Sequence, residues 1–267
     1  MQIKDKTFVV TGGGNGIGRE VVLRLLTDGA RVAALDLSVD GLAETTRLAA
    51  AGDRLTTHAV NVADRAAVEA ARDEILAAHT TVDGLVNVAG IIQPFIKVAE
   101  LPYEQFERVM NVNFWGVAHT TKTFLPLLLQ RPEASLVNVS SMGALAPVPG
   151  QSVYGASKAA VKLFTEALYT ELLTTNVAVT VVFPGAIATD ITGNSGVSVP
   201  GREQKEAAAA SKITPAPEAG RQIVAAIAKG SPRLCIGSDA KMLDRLARLM
   251  PTKAGQLIAK KMAHLID

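Results

Sequence analysis

Along the chain, short runs rich in β-branched residues alternate with longer stretches whose apolar positions recur at helical spacing. Thr7–Val10, Arg31–Leu35, Leu55–Val62, Leu85–Val88, Ser135–Val139, Val177–Phe183 and Arg233–Ile236 predict seven strands. Most are almost continuously apolar, as expected of parallel strands covered on both faces. Helical patterns fall between them near residues 17–28, 39–51, 64–78, 103–129, 151–174 and 217–229. In the fifth, Ala160, Leu163, Phe164, Ala167 and Leu168 form a stripe of period 3.6. The alternation predicts an α/β fold, a doubly wound seven-stranded parallel sheet flanked by helices and joined by right-handed crossovers.

Two stretches break the rhythm. Residues 187–215 form an insertion with Gly and Ser early and helix formers later. A connection that long inside a compact domain is usually a lid or a binding loop. Residues 239–267 read as a C-terminal helical extension interrupted by Pro251. No linker or composition break divides the chain, so residues 1–267 are expected to form a single domain.

Composition narrows the function classes. Of 267 residues, 48% are hydrophobic and 19% charged, enough apolar material for a large core. A net charge of +2 argues against nucleic acid as a partner. The one cysteine, Cys235, excludes an intrachain disulfide and reads as a small buried hydrophobe. The start of the chain has no signal-peptide core, and no apolar run reaches the roughly 18 residues of a spanning helix, so the expected compartment is the cytoplasm. His58, His79, His119 and His264 show no metal-ligand spacing, and no metal is expected.

The chemistry begins at Thr11-Gly-Gly-Gly-Asn-Gly-Ile-Gly18, after the first strand and opening the first helix. There Gly12, Asn15, Gly16, Ile17 and Gly18 would let the backbone approach a pyrophosphate at a helix N-terminus with free N–H donors. Asp36 ends the second strand and can accept hydrogen bonds from the adenosine ribose hydroxyls of a dinucleotide. A carboxylate there repels a 2′-phosphate of about −2 charge. Leu37 and Asn15 supply no cation to offset it, so NAD is expected rather than NADP.

Tyr154 and Lys158 stand four apart at the start of the fifth helical pattern, which places phenol and ammonium on one face. A free phenol titrates at about pH 10. An ammonium about 4 Å away contributes about 4 kcal/mol at an effective dielectric of about 20, roughly three pKa units. That shift would fit the phenol for general acid–base work. Ser141, just past the fifth strand, would reach the same crevice and hold the same substrate oxygen.

With these motifs, residues 5–237 resemble the short-chain dehydrogenase/reductase family. Thr11, Gly12, Gly16 and Gly18 match its glycine motif, and Asn87-Val88-Ala89-Gly90 its Asn-Ala-Gly motif. Ser141 stands thirteen positions before the tyrosine of Tyr154-x-x-x-Lys158, and Asn113-Phe-Trp-Gly116 matches the asparagine of its fourth helix. Pro184-Gly185 matches the turn after strand six, with Ile187 and Thr189 where the family holds the nicotinamide amide. Asn61-Val62 replaces the usual Asp-Val after strand three and would still meet the adenine.

The resemblance implies a Rossmann fold and a proton shuttle on Tyr154, accompanying hydride transfer between substrate and cofactor. Ser141 would hold the substrate oxygen. Lys158 would lower the Tyr154 pKa and bind the ribose, while Asn113 would hold a relay water. Met142, Ala144, Val148, Ile91 and Ile92 are expected either to line an apolar substrate side or to pack in the core. The leading expectation is therefore NAD-linked oxidation of an apolar secondary alcohol, such as a steroid or a hydroxy lipid. The alternatives are reduction of a ketone or 3-oxoacyl group, and a nucleotide-binding regulatory protein without turnover. A homo-oligomer, dimer or tetramer, is expected, with the missing Asp-Gly-Gly ending arguing against the tetramer. The basic C-terminal helices suit a solvated face or a subunit contact, with a weak peripheral contact with a membrane as the alternative.

Overall fold

A computed structural model describes residues 1–197 and 213–262, with the side chain of Lys261 left out. The first half runs β1 (Thr7–Thr11), α1 (Gly16–Thr27), β2 (Arg31–Asp36), α2 (Val39–Ala49), β3 (Leu55–Ala59), α3 (Arg65–His79) and β4 (Gly84–Asn87). It continues through α4 (Tyr103–Met110), α5 (Gly116–Leu129), β5 (Ala134–Val139), α6 (Ser152–Glu171) and β6 (Val177–Pro184). Then come β7 (Ile187–Ala188), α7 (Ile191–Ser195), β8 (Thr214–Pro215), α8 (Ala216–Lys229), β9 (Arg233–Ile236), α9 (Ser238–Leu249) and α10 (Pro251–Met262).

Seven strands form one sheet in the order β3-β2-β1-β4-β5-β6-β9, and every pairing is parallel. Strand order reverses between β1 and β4, and a crevice opens beyond the strand ends at such a switch point. Alternation along each strand fills both faces, because successive side chains point to opposite sides. Val10 packs with Val21, Leu25, Ile223 and Ile227 under α1 and α8. Its neighbour Val9 packs with Ile75, Phe124, Leu136 and Leu168 under α3, α5 and α6. Each fully buried side chain of this kind contributes about 1.5–3 kcal/mol.

Helix starts follow local chemistry. The Asp64 carboxylate accepts from Ala66 N at 2.9 Å and caps α3, and Ser38 Oγ accepts from Gly41 N at 3.0 Å and caps α2. Asn15 starts α1 without a side-chain cap, so the first amides of α1 are not claimed by it.

The sequence patterns and the structure differ in several places. The third strand ends at Ala59, not Val62, because the chain turns at Asn61, whose Oδ1 accepts from Ala63 N at 3.0 Å. The helical pattern over 103–129 is continuous, but Asn111–Trp115 forms a π-helical turn between α4 and α5. On α6 the buried face is Val153, Ser157, Lys158, Val161, Thr165 and Leu168, while Leu163 from the apolar stripe is 67% exposed. Polar residues on the inner face concealed it from a reading by hydrophobicity.

Both ends of the expected lid, 187–215, are pinned by a parallel pairing of Ile187 with Thr214 and Ala188 with Pro215. Residues 198–212 of that lid, and 263–267 of the C-terminal extension with His264, lie outside the described residues. Cys235 is only partly buried, at the far edge strand β9, and burial pushes its thiol pKa up. Among the described residues no helix is long and apolar enough to cross a membrane, and no His, Cys, Asp and Glu cluster could hold a metal.

One packing contact is unusually tight. A Cβ on Gly84 would overlap the buried ring of Phe8 in the neighbouring strand. Gly84→Ala is expected to cost about 1–3 kcal/mol by overpacking, read as a lower urea midpoint with an unchanged slope.

Candidate functional site

The cleft lies at the switch point and has a volume of about 540 Å³, within the usual range for a small-molecule or cofactor site. Its two walls are joined by Thr11, whose Oγ1 accepts from Val88 N at 3.0 Å and Ala89 N at 3.2 Å. The glycine loop has no room for side chains. Gly12 has φ +71°, and a Cβ there would stand 2.9 Å from Ala89 N. A Cβ on Gly18 would collide with the carbonyl oxygen of Gly12. With α1 uncapped by Asn15, this backbone fits a pyrophosphate, which needs close approach and N–H donors.

Of the expected cofactor residues, Gly12, Asn15, Gly16, Ile17, Gly18, Asp36, Leu37, Asn61, Val62, Ala89, Gly90 and Thr189 line the cleft. The Asp36 carboxylate accepts from Gly14 N at 2.8 Å and Ser38 N at 2.9 Å, one bond to each oxygen. Each oxygen retains a second lone pair for a ribose hydroxyl. The Asn61 amide oxygen is already used by Ala63 N, so any adenine contact must share it.

Asn87, Pro184, Gly185 and Ile187 do not line the cleft. Asn87 is buried, and its side chain turns away into a polar ladder. Its Nδ2 donates to Asn138 Oδ1 at 2.8 Å, and its Oδ1 accepts from Thr120 Oγ1 at 2.8 Å. The ladder reaches α6 through Asn138 Nδ2 and Thr165 Oγ1 at 3.0 Å. Such a buried network persists because every orphaned amide would cost about 1–3 kcal/mol.

Ser141, Tyr154 and Lys158 converge beside the cleft. Ser141 starts a short turn and its Oγ accepts from Gly143 N at 3.1 Å; Gly143 brings the two side chains together, since a Cβ there would stand 3.5 Å from both Ser141 Oγ and Tyr154 Cε1. Lys158 is buried, donates from Nζ to Val139 O at 3.0 Å, and stands 3.0 Å from where a Cβ on Gly90 would lie. Gly90 thus gives the ammonium access to the cleft wall.

Electrostatics depart from the expectation for this pair. Burial pushes the Tyr154 phenol up from its ordinary value, and the Ser141 hydrogen bond only partly opposes it. Burial also pulls the Lys158 ammonium down to about 8. Loss of water is the leading cause of both shifts and favours the neutral form of each group.

Asn113 sits in the π-helical turn and is buried. Its Oδ1 accepts from Ile91 N at 2.8 Å, and its Nδ2 donates to Ile91 O and Ser157 Oγ, both at 2.9 Å. Both amide hydrogens are committed, so a relay water cannot be held by them.

Three residues near the cleft carry no sequence signal. Arg108 and Asn194 line it, and Arg108 donates to Ser195 O at 3.1 Å, docking α7 against α4. Arg19 braces the glycine loop through Gly14 O and donates to Thr45 Oγ1 at 3.0 Å and Gly41 O at 3.3 Å. Its guanidinium holds the carbonyl side of Gly14, whose N–H donates to Asp36. Only tertiary contacts bring these residues to the site.

Comparison with known proteins agrees with this geometry. The model of the short chain dehydrogenase family matches residues 6–198. The oxidoreductase SadH of Mycobacterium tuberculosis is 40% identical over 265 residues, 97% of this chain and 95% of SadH. A 2-dehydro-3-deoxy-L-rhamnonate dehydrogenase (NAD(+)) of a Sphingomonas species is 35% identical, covering 68% of this chain and 72% of its own. A Burkholderia phymatum short-chain dehydrogenase/reductase, solved in complex with NAD, superposes with a TM-score of 0.86 at 27% identity, covering 96% of this chain and 97% of that one. The sheet order, the glycine cradle and these similarities lead to one conclusion: this chain belongs to the short-chain dehydrogenase/reductase family of oxidoreductases.

Proposed function

We propose that this chain interconverts a secondary alcohol and its ketone with NAD, using Tyr154 as acid and base. The observation carrying the proposal is the approach of Ser141 and Tyr154 across Gly143, with the buried Lys158 at the Gly90 edge of the cleft. Nicotinamide, when bound, supplies the hydride acceptor or donor. The glycine loop and the start of α1 would hold the pyrophosphate, Asp36 the adenosine ribose, and Lys158 the nicotinamide ribose. Ser141 orients the substrate oxygen, and Tyr154 takes its proton during oxidation or returns one during reduction. Ile91, Ile92 and Val148 make an apolar substrate, such as a steroid or hydroxy lipid, the class favoured for the adjoining space. A cytoplasmic homo-oligomer is the assembly expected for such an enzyme.

Reduction of a ketone has an observation in its favour. Burial raises the Tyr154 phenol above its ordinary value, which favours the protonated form that serves as an acid. Oxidation needs that proton removed first. The two directions use the same side chains.

Tyr154→Phe is expected to lower kcat by about 10²–10⁴-fold, followed by nicotinamide absorbance across a panel of secondary alcohols and ketones. Full activity in that variant would end the acid–base assignment. Wild type is expected to favour NAD over NADP by at least tenfold in kcat/KM, and Asp36→Ala to narrow the ratio by relieving repulsion of the 2′-phosphate. Equal use of both cofactors by the wild type would contradict the role given to Asp36.

Lys158 makes a pH prediction. Its folded pKa of about 8 lies below the ordinary 10.5, so between those values the unfolded chain binds more protons. Stability from this group therefore rises with pH across that window and is reduced below it. Lys158→Met is expected to melt a few degrees higher than wild type at pH 7, with the difference fading towards pH 10.5. Thermal melts across pH, monitored by circular dichroism, test the sign.

A further inference from the structure

Helix α6 carries Tyr154 in its first turn, yet its cap residue, Gln151, gives it no side-chain cap. The cap comes from 58 residues earlier in the chain. Gln93, fully buried, accepts from Val153 N at 2.7 Å and Tyr154 N at 3.0 Å with the single oxygen Oε1. Its Nε2 donates to Gly150 O at 3.0 Å, and its own carbonyl accepts from Gln151 Nε2 at 2.8 Å, 58 residues along the chain. One amide therefore holds the last residue of the loop after Ser141 and the first turn of the Tyr154 helix.

The segment around Gln93 is itself anchored. Ile91 exchanges two hydrogen bonds with the Asn113 side chain, and Ile92 N donates to Ser195 Oγ at 3.0 Å at the end of α7. A buried amide bonded at both ends to a rigid strip cannot shift without orphaning polar groups, each at a cost comparable to a lost hydrogen bond. The cap is also neutral. Helix starts favour acidic groups, but a carboxylate here would put a negative charge next to the residue bearing the phenol. Ser141 is the polar side chain acting on the Tyr154 phenol, and Tyr154 packs, with Ile91, Ile96, Phe106 and Met110, against the buried cluster of Leu101, Val109 and Val153.

We infer that Gln93 is a positioning residue for Tyr154: a neutral, distant cap that sets where the α6 first turn, and so the phenol, stands beside Ser141. The inference rests on the reading of Tyr154 as acid and base only for its consequence in turnover. The coupling between the two residues can be measured without any substrate.

The test is a tyrosinate absorbance titration of the full chain, with the Tyr154 signal taken as the difference from a Tyr154→Phe variant. Gln93→Glu keeps the acceptor on the two helix amides but adds a charge, and is expected to raise the Tyr154 midpoint by on the order of one pH unit. Gln93→Leu removes the acceptor, frays the turn, opens the phenol to water and is expected to lower the midpoint towards the ordinary value. Opposite movements in the two variants are what a merely structural glutamine would not produce. Turnover should follow, with Gln93→Leu losing about 10–100-fold in kcat while KM for NAD changes by less than about threefold. Midpoints unmoved in both variants would overturn the inference, and so would a Gln93→Glu midpoint that falls. If Gln93→Leu does not fold, the Gln93→Glu shift alone decides. A Tyr154→Phe variant that stays fully active would sink the catalytic reading but leave the titration result standing.

Discussion

The seam between β1 and β4 is the constraint on which the site depends. Thr11 and Asn87 are partners in register there, and Thr11 Oγ1 accepts from the two amides that follow β4. Because the strand order reverses at this seam, the loops on either side diverge and leave a crevice. Two hydrogen bonds from one threonine keep that crevice from widening. The glycine loop lies on one wall and Ala89-Gly90 on the other, close enough that Gly12 has no room for a Cβ against Ala89.

Around that seam the polar groups are connected rather than scattered. Thr120, Asn87, Asn138 and Thr165 run as a buried ladder from α5 through β4 and β5 to α6. Asn113 ties the π-helical turn to Ile91 and to Ser157 on α6. The extra residue of a π-turn is common at functional positions because it redirects a side chain out of helical register. Here it turns an amide inward, where its donors and acceptor meet partners. These contacts give α6 two lateral attachments in addition to its hydrophobic packing.

Burial has opposite effects on the two titratable groups at this place. It favours the neutral form of each, raising the phenol and lowering the ammonium. A pairwise Coulomb estimate from helical spacing predicted the reverse for Tyr154. The estimate assumed a well-solvated pair, whereas α6 turns Ser157, Lys158 and Thr165 inward, away from water. Desolvation is set by the whole surrounding fold, and no spacing along one helix contains it.

Much of the architecture was legible from the chain. Runs such as Arg31–Leu35 and Val177–Phe183 are apolar on both faces, so they could only be interior parallel strands. The glycine cradle, the acid ending β2 and the Ser141–Tyr154–Lys158 spacing are local patterns, and local patterns survive in a one-dimensional record. What tertiary structure alone decided was which polar groups meet across long separations. Asn87 turned away from the cleft, Arg19 reached Gly14 of the glycine loop, and Gln93 reached the first turn of α6. Hydrogen bonds between distant residues leave no periodicity in the sequence. Their partners are chosen only when the sheet has closed and each buried donor must find an acceptor.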